Sequence, residues 1–127
     1  MFRVTDDGAV GAILCDDGDN REYPETSVGI APVDEWMHVA MVVDLNGPTD
    51  VTFYTNAVPA GTAAVTMTTL YTSANAQLTV GDYGPGNTTA AYDGELDEVI
   101  VFSRALTSNE VASLYTDGIS GDKGESD

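Results

Sequence analysis

The side chains able to do chemistry in this chain are mostly carboxylates. Asp16, Asp17 and Asp19 crowd a turn with Gly18 and Asn20, while Asp93 and Asp97 flank the start of an apolar segment near the C-terminus. Hard oxygen donors clustered in this way suit Ca2+, with Asp97 and Asp93 as the first candidate site and Asp16, Asp17 and Asp19 as the alternative. Either cluster reads equally as solvated acid on a charged surface. Glu95 and Asp97 would share one face of a strand about 7 Å apart, against the roughly 5–5.5 Å of the carboxylate pair in a retaining glycosidase. His38 is the single histidine, so any Ser/His/Asp or Cys/His device would have to use it. Cys15 is the single cysteine, which leaves neither a disulfide nor a redox pair and reads as a small apolar filler. Phosphate-cradling glycine motifs and zinc spacings do not occur. No catalytic residue is therefore assigned. The loop Asp82–Asn87 leads toward Tyr92 and offers Tyr83, Asn87 and Tyr92, aromatic and amide groups of the kind that contact sugars; its plainer reading is a long turn.

The elements that would position these residues are almost all strands. Short segments of period two recur at intervals of about ten residues between turn signals, the pattern of an all-β sandwich. The spacing predicts strands over Phe2–Thr5, Ala9–Asp16, Thr26–Ala31, Trp36–Asp44, Val51–Asn56, Ala64–Tyr71, Gln77–Asp82 and Leu96–Ser103. Asp7-Gly8, Asp17-Gly18, Asn46-Gly47 and Pro85-Gly86 supply the turns. In Trp36–Asp44, one parity holds Trp36, His38, Ala40 and Val42, and the other Met37, Val39, Met41 and Val43. Both faces are largely apolar, which predicts a central strand covered on its outer side by a loop or a neighbouring subunit. Thr107-Ser108-Asn109-Glu110 is a capping box, and Val111, Leu114 and Tyr115 then form one apolar stripe of a short helix. The domain is expected over residues 1–115, with 116–127 as an acidic, glycine-rich tail.

Composition narrows the partners. The chain has 127 residues, enough for one core and too few for two. Its 21 Asp and Glu against 4 Lys and Arg give a net charge of −17. Nucleic acid is excluded as a direct partner, because its phosphates need Lys and Arg to neutralise them. Membrane insertion is not expected either, since no apolar run approaches the roughly 18 residues of a span. The acids are spread among apolar strands rather than gathered in a tail, so they coat a folded surface. Self-repulsion of such a surface is largely screened at molar salt, where the Debye length falls to about 3 Å. That predicts a salt-loving source, with an ordinary acidic extracellular domain as the rival reading.

Three segments carry a family resemblance. Trp36-Met37-His38-Val39-Ala40, Asp44 and Phe53-Tyr54-Thr55-Asn56 are similar to W-x-H-V-A, D and FY-x-N-G; Leu78-Thr79-Val80-Gly81 is similar to L-x-I-G. The most specific run is Gly94-Glu95-Leu96-Asp97-Glu98-Val99-Ile100-Val101-Phe102-Ser103-Arg104-Ala105-Leu106 with the capped helix after it. Together they resemble the laminin-G-like branch of the concanavalin A-like lectin/glucanase superfamily, from about Ala9 to Tyr115. The resemblance implies an antiparallel two-sheet jelly-roll sandwich with one short C-terminal helix. It also implies a packing role for His38, a structural role for the strand bearing Glu95 and Asp97, and a possible Ca2+ site. Two departures stand out: Ala57 replaces the usual glycine after Asn56, and the strands that family members carry before the Phe2 position are missing. A sandwich short of its first strands leaves an edge or an apolar face to cover, so a homo-oligomer or larger assembly is expected.

These readings converge on a non-enzymatic structural or adhesion module. The leading expectation is a virion-surface protein (decoration, turret or fibre) of a virus of a halophilic host, reaching the outside without a signal peptide. The alternative is a glycan- or protein-binding module of an acidic cell-surface or extracellular protein. A small carbohydrate-active enzyme ranks last.

Overall fold

A computed structural model describes residues 1–73, 79–81 and 91–118. Its first layer is built from one long hairpin. Strands β2 (Val10–Ala12) and β3 (Leu14–Cys15) run antiparallel to β4 (Arg21–Glu22) and its continuation, with Leu14 opposite Glu22, Cys15 opposite Arg21 and Gly11 bridged to Glu25. All three pairs obey one register. Gly11 is needed there, since a Cβ at that position would stand 2.9 Å from Glu25 Cβ. Thr26 completes the hairpin: its N–H donates to Val10 O at 2.9 Å, and its hydroxyl oxygen accepts from Val10 N at 3.0 Å. Strand β1 (Phe2–Val4) adds to the other side, with Phe2 opposite Ala12 and Val4 opposite Val10 across the Asp7-Gly8 turn.

The second layer is a meander of β5 (Val39–Val43), β6 (Val51–Thr55) and β7 (Val58–Ala63). Asn56 and Ala57 form the two-residue turn between β6 and β7, with φ of 48° and 67°. Positive φ at both central residues is the type I′ geometry whose twist matches flanking strands. The tight turn thus forms although Ala57 replaces the usual glycine, with alanine in a left-handed conformation. An irregularity between Phe53 and Tyr54 then shifts the pairing, so that Phe53 faces Gly61 and Tyr54 faces Pro59.

The layers meet through alternating side chains. Val10, Ala12 and Leu14 of the hairpin bury against Val51 and Phe53 of β6 and against Met67, with Met37, Val39, Met41 and Val43 packed at the margin. Each fully buried Val or Phe contributes roughly 1.5–3 kcal/mol from removal of apolar surface from water. The opposite parity of β5 is the outer one. Helix α1 (Ser108–Asp117) reaches it, as Tyr115 stacks at a tilt on His38 with ring centroids 5.6 Å apart. Trp36 remains 68% exposed, so the cover over that face is partial.

The antiparallel sandwich with one short helix is borne out, while several strand limits move. The segment expected over Thr26–Ala31 pairs earlier, at 21–26, because the register with Val10–Cys15 ends there; the chain then turns away, with Gly29 at φ 73°. The strand expected over Trp36–Asp44 narrows to Val39–Val43, the length that β6 can pair. In place of Ala64–Tyr71, the strand is Val58–Ala63, because the Asn56-Ala57 turn sends the chain straight back along β6. Leu96–Ser103 forms no strand. Of the strand expected over Gln77–Asp82, the described residues 79–81 form no strand and the rest lie outside the described residues, as do the Pro85-Gly86 turn and most of the tail.

Candidate functional site

Asp16 opens the acidic turn and organises it. Its Oδ1 accepts from the backbone N–H of Gly18 (2.8 Å) and Asn20 (3.0 Å), and its Oδ2 accepts from Asn20 Nδ2 at 2.8 Å. The bond from the Asn20 side chain, with the backbone bonds behind it, holds the Asp16 carboxyl below its ordinary range. Asp17 serves a different neighbour, as its Oδ1 accepts from Thr72 N at 3.0 Å. Asp19 stands at φ 63° with its carboxylate 3.7 Å from the Arg21 guanidinium. The three carboxylates thus point to the turn itself, to residue 72 and to the next strand. Among the described residues, no group of three or more His, Cys, Asp or Glu side chains converges as a metal site would require.

The other candidates lie on the segment 91–106. Tyr92 N donates to Gly81 O at 2.8 Å, which ties the segment to the end of the 79–81 stretch. Its ring lies over Gly94, where a Cβ would come within 2.8 Å of the ring. Asp93, Glu95 and Asp97 are all exposed, and Asp97 Oδ1 accepts from Glu98 N at 2.8 Å. Glu98 sits at φ 51°, a left-handed conformation that interrupts any strand through it. Glu95 and Asp97 therefore do not form the paired row that a strand would have made. Tyr92, Asp93 and Asp97 share one exposed segment, whereas Tyr83 and Asn87 lie outside the described residues.

That segment is also where apolar surface is left open. Leu96, Val99, Ile100, Val101 and Phe102 are each between 40% and 70% exposed. Its far end is anchored: Arg104 Nη2 and Nη1 donate to Glu110 Oε1 (2.6 Å) and Oε2 (2.9 Å). Glu110 completes the capping box, accepting from Thr107 N at 2.8 Å while Thr107 Oγ1 accepts from Glu110 N at 3.3 Å. The Arg104 guanidinium and the Thr107 amide hold the Glu110 carboxyl down to about 2. The capping box was legible in the sequence; the Arg104 fork was not, although it lies only six residues before its partner.

Two further acids hold long-range structure that no local signal marks. Glu22 Oε1 accepts from Thr66 N (2.7 Å), Thr66 Oγ1 (2.8 Å) and Met67 N (3.0 Å), and these bonds, the Thr66 hydroxyl first, lower its pKa. Asp50 Oδ2 accepts from Val65 N at 2.9 Å, beside a shallow open depression lined by Pro48, Thr49 and Thr62. Cys15 is half-buried in β3 with a free thiol. Among the described residues, no helix is long and apolar enough to cross a membrane.

A family model of the concanavalin A-like lectin/glucanases superfamily, of laminin G type, matches residues 1–112. Among solved structures, the chain is similar to an S-layer domain-containing protein of Clostridium thermocellum at 18% identity and a TM-score of 0.49. That match covers 91% of this chain and 55% of the other, so the chain spans about half the length of the structure it resembles. No curated protein sequence matches it.

Proposed function

The chain belongs to the concanavalin A-like lectin/glucanases superfamily, and from that premise we propose that it is a non-catalytic surface module working within an oligomer or lattice. The observation that carries this reading is the open apolar run from Leu96 to Phe102 on a molecule of net charge −17. Apolar surface of that kind marks a contact with another polypeptide. The dispersed carboxylates keep the rest of the surface solvated and would oppose assembly until salt screens them. The setting that satisfies both is a brine, and the proposed role is a decoration, turret or fibre protein on the virion of a halophilic host. Sedimentation and circular dichroism of the chain in about 3 M and about 0.1 M salt test it. Assembly and fold that persist only in high salt are the expected result, and a well-folded monomer at both salts overturns it.

A second reading rests on Tyr92, whose ring lies over Gly94 and is 47% exposed. An exposed, backbone-supported aromatic is the kind of platform on which a sugar ring stacks. This module would bind glycan or protein at a cell surface, with Asp93 and Asp97 beside Tyr92 in sequence as the proposed Ca2+ ligands. Calorimetric titration with calcium, and then with glycans in its presence, separates it from the assembly reading.

A further inference from the structure

The contact through which copies assemble follows from the segment 93–104. We propose that two copies of this chain pair antiparallel through Leu96–Phe102 about a twofold axis at Val99. This inference deepens the assembly reading and rests on it.

Three observations lead there. The segment has strand composition yet is paired with nothing among the described residues: Leu96, Ile100 and Phe102 have one parity, Val99 and Val101 the other, and all five are substantially exposed. Apolar residues on both parities suit a strand with both faces covered, so a partner must supply backbone bonds as well as side-chain contacts. Glu98, held in the left-handed region with its amide bonded to the Asp97 carboxylate, is a strained point that extension of the segment would relax.

Charge selects the occupant and its direction. The acids Asp93, Glu95, Asp97 and Glu98 fill the first half of the segment, and the second half, 99–104, holds none and ends in Arg104. A parallel pairing in register would set each carboxylate beside its own copy, which is destabilising. Antiparallel pairing centred on Val99 sets Asp97 opposite Val101, Glu98 opposite Ile100 and Glu95 opposite Ser103. No carboxylate then faces another. The same register places Leu96 opposite Phe102 twice, joining a large aliphatic side chain to the aromatic one of the segment. The segment is therefore self-complementary in the sense that a twofold interface requires.

The test uses the full chain in about 3 M salt, with sedimentation equilibrium as the readout. Val101→Asp puts a carboxylate opposite Asp97 of the other copy and removes apolar contact at a position 70% exposed, where the monomer fold is indifferent to it. Val33→Asp, at 84% exposure outside the segment and with the same added charge, is the control. The expected result is a dimer dissociation constant raised at least about tenfold by Val101→Asp, from loss of buried apolar area and from the opposed carboxylates, and unchanged by Val33→Asp, with equal circular dichroism. An assembly that withstands Val101→Asp overturns this contact and leaves the assembly reading standing. A monomer in 3 M salt overturns both.

Discussion

Asn56 and His38 are bonded twice: the Asn56 N–H donates to His38 O at 2.8 Å, and the Asn56 side-chain oxygen accepts from His38 N at 3.0 Å. The pair closes the β5–β6 ladder one step beyond the strands and holds Asn56 at φ 48°, ready for the turn. It also sets the backbone of His38, whose ring carries Tyr115 of the helix. Asn56→Ala removes the acceptor and places alanine in a left-handed conformation. A loss of about 1–3 kcal/mol is expected, read as a lower denaturation midpoint in urea, and Asn56→Asp, which keeps an acceptor, should lose less.

Ala57 follows at φ 67°, where a Cβ is unfavourable. Ala57→Gly removes that strain at the cost of greater freedom in the unfolded chain. The balance favours glycine by about 0.5–1 kcal/mol, because the left-handed penalty is the larger of the two. A midpoint that rises in urea checks it.

Phe53 is fully buried between the layers. Phe53→Ala should cost about 3–5 kcal/mol. Val33→Ala, at a position 84% exposed, should change stability by no more than about 0.5 kcal/mol. Thermal unfolding of the two variants side by side measures the contrast.

Glu110 predicts a pH dependence confined to acid. Its carboxyl is held at about 2 in the folded chain against an ordinary 4.5, so its contribution is fully present above pH 4.5 and is lost as pH falls toward 2. The difference in thermal midpoint between the native chain and Glu110→Gln should therefore be constant above pH 4.5 and shrink below it. Arg104→Ala should make that loss smaller and complete it at a higher pH, since the guanidinium is the largest cause of the shift, while its onset stays at the unfolded value of 4.5.

Glu22 ties the first hairpin to residues 66 and 67 through three bonds to one oxygen. Glu22→Ala leaves two backbone donors without that acceptor and should lower the urea midpoint. Glu22→Gln, which keeps a carbonyl oxygen, should lower it less.

The sequence by itself determined what depends on neighbours along the chain. Period two marked strands over Ala9–Asp16, Trp36–Asp44 and Val51–Asn56, because it is a property of the pleat, and the paired strands Val10–Ala12, Leu14–Cys15, Val39–Val43 and Val51–Thr55 fall within them. The Thr107–Glu110 box marked the helix start, because its donors and acceptors lie within one turn. The motifs from Trp36 to Leu106 carried the family, which the match over residues 1–112 bears out. Tertiary structure alone decided the register: 21–26 rather than 26–31 pairs with the first hairpin arm, and Val58–Ala63 rather than 64–71 returns along β6. A strand is completed by hydrogen bonds to a partner, and composition does not say which partner is present. Leu96–Ser103 shows the point most clearly, since it has every local mark of a strand and no partner among the described residues. The carboxylates follow the same rule. Their number was plain from the sequence, but whether Asp16, Asp17 and Asp19 would converge or disperse was set by Asn20, Thr72 and Arg21, whose positions only folding fixes.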